Sequence, residues 1–186
     1  DAAKFIYKGS ADSTPPTTPI VTDGGAYTPS RTSLTASWTS SDPESGISES
    51  EYRIVEQSSQ EVVVDWTGTG QSMQITATGL SLVLGKTYVF EIRTTNGAGK
   101  VSTVGVSDGI AIFPFDIDND GIVSTNDLGA FLLCASGPTI PYATGGGVDC
   151  GRFDTNADAD VDQEDFGIFQ RCMTGTSLVN ISCLNN

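Results

Sequence analysis

The stretch Asp116–Asp127, DIDNDGIVSTND, constrains this chain more than any other. It sets Asp at its first, third, fifth and twelfth positions, with Gly121 at the sixth and Val123 at the eighth. Carboxylates that close together repel one another unless a cation sits between them, and a glycine at the sixth position permits the sharp turn that aims them inward. A hard dication taking oxygens only, at short range, suits this spacing, and the pattern is that of a calcium loop. Asp116, Asp118, Asp120 and Asp127 are then carboxylate ligands, Ile122 offers its carbonyl, and Ser124 a water-mediated contact.

A shift of 38 positions lays a second stretch, Asp154–Asp165, on the first. Phe115 falls on Phe153, Val123 on Val161, Gly129 on Gly167, Phe131 on Phe169, Cys134 on Cys172 and Gly137 on Gly175. The repeating unit is therefore a loop followed by a helix. Asp154, Asn156, Asp158, Asp160 and Asp165 form the second ligand set, with Asp162 as a further oxygen at the ninth position. Ala159 stands where the first copy has glycine, at a cost of roughly 1 kcal/mol if the backbone turns left-handed there. The segments before the two loops, GIAIFPF and GGGVDCGRF, are β-like or broken by glycine and proline, so neither loop has an entering helix. The helices are expected from Asp127 to about Ser136, stopped by Gly137-Pro138, and from Asp165 to about Thr174, stopped by Gly175. Leu128, Phe131 and Leu132 with Phe166, Phe169 and Met173 have the spacing of a shared core.

Charge divides the chain near Pro114. Residues 114–186 carry 11 acids against Arg152 and Arg171, within a net charge of −14 for all 186 residues. Such an acidic protein repels nucleic acid and anionic membrane. No apolar run approaches a membrane span and no signal peptide is present, which reads as a mature, secreted chain. All four cysteines, Cys134, Cys150, Cys172 and Cys183, lie in the last third, and there is no histidine to complete a zinc site. Disulfides are the preferred reading, the alternative being four buried thiols. Because Cys134 and Cys172 are repeat equivalents, the repeat favours pairing Cys134 with Cys150 and Cys172 with Cys183. Oxidised cysteines and a calcium site both point outside the cell.

Residues 1–10 contain a β-prone run in which Phe5, Ile6 and Tyr7 form a candidate donor strand flanked by Lys4 and Lys8. Residues 11–18, a Pro/Thr-rich linker, are expected to be extended and semi-rigid, holding that strand at arm's length, and to be a candidate for O-linked glycan. From residue 19 to 113 run short alternating segments separated by turn residues, an all-β sandwich pattern with Trp38, Tyr52, Ile54, Ile75, Leu80, Tyr88, Phe90 and Ile92 as core.

Pro19, Trp38, Leu80 ahead of Tyr88, and the run Ile92–Gly99 make this half of the chain resemble a fibronectin type III domain, an immunoglobulin-like spacer or binding platform. Residues 115–176, with two acidic loops and no entering helices, resemble a type I dockerin within a domain spanning 114–186. That resemblance implies a small all-α domain of two calcium loop-helix repeats that binds a cohesin. The implied contacts are Thr125 and Asn126, with Gln163 and Glu164 in the second copy, and the helix pairs Leu132-Leu133 and Gln170-Arg171.

Without histidine, Ser-His-Asp and Cys-His chemistry is excluded, and phosphate-loop and dinucleotide fingerprints are absent. Asp42, Glu44, Glu49 and Glu51 gather near one loop, but acids on loops are usually a solvated surface, and Trp66 reads as core or edge packing. The expectation is a non-catalytic, calcium-stabilised bacterial protein of the cell surface. Its preferred role is a filament or pilus-like subunit that adds residues 5–7 to the sandwich edge of a copy of itself. The alternative is an anchor that docks into a cohesin-like domain.

Overall fold

Ser33–Thr39 alternates apolar and polar side chains, and Leu34, Ala36 and Trp38 are buried while their neighbours face out, as a half-buried strand requires. Thr87–Asn96 behaves likewise, burying Tyr88, Phe90 and Ile92. The computed structural model describes residues 12–118, 120–143 and 147–184. Its strands in chain order are β1 (Ile20–Asp23), β2 (Tyr27–Thr28), β3 (Ser33–Thr39), β4 (Ile47–Glu56), β5 (Val62–Gly70), β6 (Gln74–Thr78), β7 (Thr87–Asn96), β8 (Gly105–Val106) and β9 (Ile110–Ile112). One sheet runs β1-β3-β6 and the other β2-β9-β7-β4-β5, with β8 also paired to β7. This is an immunoglobulin-like β-sandwich order. Strands β1, β2 and β8 are too short to show an alternating pattern in sequence. Ile75 is half-buried, and Ala77 is the fully buried position of β6.

By packing, the chain forms two compact units whose division does not fall at Pro114. The first comprises the described residues through Asp23 with Thr35–Ala77 and Val89–Gly109; the second comprises Gly24–Leu34, Thr78–Tyr88 and the described residues from Ile110 onward. The reason for the second grouping is aromatic. Tyr27 tilts against Phe113 at 5.9 Å, Phe113 meets Phe115 edge-on at 5.8 Å, and the Tyr27 hydroxyl donates to the Val179 carbonyl at 3.3 Å.

In the first unit the Pro/Thr segment is not held at arm's length. Thr17 N–H donates to the Ser41 carbonyl at 2.9 Å, Ser41 N–H donates to the Thr17 hydroxyl at 2.9 Å, and the hydroxyls of Thr18 and Thr103 bond to each other. Pro16 and Pro19 are buried. Prolines carry no N–H to satisfy, so they can be covered cheaply, which lets this segment lie against Ser40 and Ser41. The candidate donor strand Phe5-Ile6-Tyr7 lies outside the described residues.

In the second unit, two helices of equal length carry the repeat: α1 (Thr125–Cys134) and α2 (Gln163–Cys172). Phe131, Phe169, Phe115, Phe153, Val123 and Val161 form its buried core with all or part of each cysteine pair. Two disulfides close it, Cys134–Cys150 and Cys172–Cys183, the pairing that the repeat favours. Leu132 and Met173 are not core residues: Leu132 is 60% exposed and Met173 37%. The buried stripe is narrower than the apolar spacing suggests because Phe115 and Phe153, just ahead of the loops, already pack against Phe169 and Phe131 of the helices. No helix among the described residues is long and apolar enough to cross a membrane.

Candidate metal centre

Each helix begins two residues before its loop's last acid. Ser124 and Asp162 are the N-caps, and Asp127 and Asp165, at the third helical position, close reciprocal capping boxes. Asp127 Oδ2 accepts from Ser124 N–H at 2.8 Å and Oδ1 from Ile117 N–H at 2.7 Å. Asp165 does the same with Asp162 N–H at 3.0 Å and Thr155 N–H at 2.8 Å. The closing carboxylate is thus at once a cap and a clamp across its loop.

The first acid of each loop is held in matching fashion. Asp116 accepts from Asp120 N–H at 3.1 Å and Gly121 N–H at 3.0 Å. Asp154 accepts from Asp158 N–H at 3.1 Å and Ala159 N–H at 3.0 Å. Both turns pass through the left-handed region, Gly121 at φ 82° and Ala159 at φ 73°, with Ala157 at 63° as well. At the sixth position the second loop therefore stores backbone strain that glycine spares the first.

Carboxylate oxygens of Asp116, Asp118 and Asp120 come within 4.8 Å of one another, as do those of Asp160, Asp162 and Asp165. Asp118 and Asp120 are exposed, while Asp116, Asp127, Asp154, Asp160 and Asp165 are buried. Burial pushes the Asp116 carboxyl above its ordinary value, with the charges of Asp127 and Asp120 adding to the effect. Burial likewise pushes Asp160 up, reinforced by Asp158, Asp162 and Asp165. Among the described residues no basic side chain is ion-paired to a loop carboxylate. Arg152 comes nearest, and it donates instead to backbone: Nε to the Pro114 carbonyl at 2.6 Å and a terminal nitrogen to the Asp116 carbonyl at 3.3 Å.

The loops are tied crosswise. Thr174 N–H, just past α2, donates to the Val123 carbonyl of the first loop at 3.0 Å, and Ser136 N–H, just past α1, donates to the Val161 carbonyl of the second at 2.9 Å. The hydroxyls answer: Thr174 Oγ1 accepts from Val123 N–H at 3.2 Å and Ser136 Oγ from Val161 N–H at 3.1 Å. For this the chain must leave each helix in an extended conformation, which Ala135 and Met173 adopt as C-caps. The helices accordingly end before the glycines expected to stop them. Gly137 and Gly175 take positive φ two residues later and turn the chain away.

Thr125 and Asn126 open α1 and are exposed, as are Gln163 and Glu164 opening α2. Leu132 and Leu133 lie on the outside of α1, and Leu133 is 75% exposed. Sequence reasoning missed Ser124 and Thr155 as anchors of the last acid, although Ser three residues before Asp is a readable capping signal. It also missed Asn96, whose amide donates to both Asp12 and Asp42 at 2.8 Å. Asp42 in turn caps its own turn by accepting from Ser45 N–H at 2.8 Å, and Glu51 is spanned by the Arg93 guanidinium at 2.7 and 2.9 Å. Trp66 is half-exposed and carries two cations over its ring, with Arg93 4.3 Å and Arg53 5.1 Å from the ring centroid.

Solved fibronectin type III domains are among the structures this chain is similar to. Titin module A71 from human cardiac muscle is 19% identical, with 52% of this chain and 88% of that one covered at a TM-score of 0.39. The fibronectin type III domain of human fibronectin type III domain containing protein 3 is 20% identical, covering 61% of this chain and 100% of that one at 0.36. The fibronectin(III)-like modules of Clostridium thermocellum CbhA are 15% identical, covering 51% and 46% at 0.35. No family model matches the sequence, and no curated protein matches it. The Tyr88 hydroxyl accepts from Val83 N–H at 3.0 Å, a local tie of the tyrosine-corner kind.

Proposed function

We propose that this is a non-catalytic extracellular protein in which a fibronectin type III-like domain accompanies a calcium-set, dockerin-like module that docks into a protein partner. The observation that carries the calcium reading is the matched bonding inside the two loops. In each, the first and last acids spend backbone donors on holding their shape, and further carboxylates gather beside them with no basic partner among the described residues. Calcium suits that donor set, which is oxygen only and rich in acids. Asp116, Asp118, Asp120 and Asp127, with the Ile122 carbonyl, would hold one ion; Asp154, Asn156, Asp158 and Asp165, with Asp160, would hold the other. Each ion would discharge repulsion that otherwise opposes folding.

The docking reading is supported by the exposed first turn of α1, Thr125 and Asn126, beside the exposed Leu132 and Leu133. The corresponding α2 positions are the polar Gln163, Glu164, Gln170 and Arg171, so a partner of cohesin type would use the α1 side. The filament reading depends on Phe5, Ile6 and Tyr7, which lie outside the described residues, and the described residues supply no observation in its favour. The deciding experiment is light scattering of the purified chain with calcium and with chelator, followed by titration with a cohesin. The expected result is a monomer whose cohesin binding needs calcium and is lost on Thr125→Ala/Asn126→Ala. Concentration-dependent polymers that vanish when residues 1–10 are deleted would replace the docking reading with the filament.

A further inference from the structure

The seventh position of a calcium loop contributes its backbone carbonyl, and its side chain is ordinarily a bystander. In the first loop that residue is Ile122, which has no side-chain oxygen to give. In the second loop it is Asp160, and its side chain is no bystander. It is 4% exposed. One oxygen, Oδ2, accepts from Thr139 N–H at 2.6 Å, while Oδ1 is buried with no hydrogen-bond partner among the described residues. Oxygens of Asp160, Asp162 and Asp165 converge within 4.8 Å. A buried carboxylate with one oxygen lacking a donor, gathered with two more carboxylates, is among the costlier arrangements a protein can hold. A divalent cation in their midst removes that cost.

The composition of the second loop also departs from the first. At the third position, Asn156 stands where the first loop has Asp118, one charge fewer. The Asn156 amide nitrogen is turned onto Asp158 at 2.9 Å and Glu164 at 3.2 Å. The ninth position reverses the difference, with Asp162 in place of Ser124.

We propose that the Asp160 side-chain carboxylate is a direct ligand of the divalent cation in the second loop, acting with Asp162 and Asp165. The inference rests on the calcium reading of the loops. It moves that site's acidic ligands toward the seventh, ninth and twelfth positions, whereas the first loop gathers its acids at the first, third and fifth.

The test is calorimetric titration of the full chain with calcium chloride, wild type against Asp160→Asn and Asp158→Asn, with thermal melting of each in chelator. Asparagine at 160 keeps an acceptor for Thr139 N–H but removes the charge. The expected result is that Asp160→Asn weakens one of two calcium-binding steps about tenfold or more, yet melts no lower than wild type in chelator, because the unpaired buried charge is gone. An affinity within twofold of wild type, with Asp158→Asn impaired, would overturn the role of Asp160 and leave the calcium reading intact. Equal destabilisation with and without calcium would assign Asp160 a structural role only. A wild-type chain that takes up no calcium would overturn both.

Discussion

Glu56 shows how much a single carboxylate can be told to do by its neighbours. It is 5% exposed at the end of β4, where it accepts from the N–H groups of Ser58 and Ser59 and from the Ser58 hydroxyl. The Ser59 side-chain bond first, and the Ser58 bonds after it, hold its carboxyl at about 2 against an ordinary 4.5. A folded value below the unfolded one means that the stabilisation is complete above about pH 4.5 and is lost as the pH falls toward 2. Glu56→Gln is expected to melt lower than wild type at pH 7, with the gap shrinking below pH 4.5 and closing near pH 2. Thermal midpoints across that range check it; a gap independent of pH would mean that shape and not charge fixes the turn.

At the scale of elements, what could be read in the sequence was whatever repeats or alternates. Leu34, Ala36 and Trp38 announce β3, and the 38-residue shift places both loops, both helices and one cysteine of each disulfide. What escaped were features decided by single hydrogen bonds or by distant backbone. The helices begin at Thr125 and Gln163 because Ser124 and Asp162 cap them, and they end early because Ser136 and Thr174 are engaged by the opposite loop. Apolar spacing suggested Leu132 for the core, but periodicity gives the direction of a buried stripe and not its width. The docking of the Pro/Thr segment on Ser40 and Ser41 left no local signal at all. Ser124→Ala is expected to cost about 1 kcal/mol, as loss of a cap commonly does, measured by denaturant unfolding of the helical signal. Ser124→Asp should recover most of it, since Asp162 fills that place in the second copy.

For the molecule as a whole, the stretch from Pro114 onward fully buries only Val123, Val161 and Val179 as aliphatic side chains among the described residues, and it is closed covalently. Its disulfides span separations of 16 and 11 residues. Loop-closure entropy puts the loss of either at about 3 kcal/mol. Cys134→Ser/Cys150→Ser is expected to lower the midpoint of the helical transition, and calcium is expected to restore part of the loss under the function proposed above. Melting followed at the helical band, in calcium and in chelator, measures both. The crosswise ties also impose an order of events. Val123 waits for Thr174, and the Gly121 carbonyl waits for Val179 N–H, 2.8 Å away. The acidic loop that leaves the ribosome first is therefore the last to be finished, because its final partners lie more than fifty residues downstream. During synthesis the early carboxylates stay open, and the stretch from Thr174 to Val179 is the latch that shuts them.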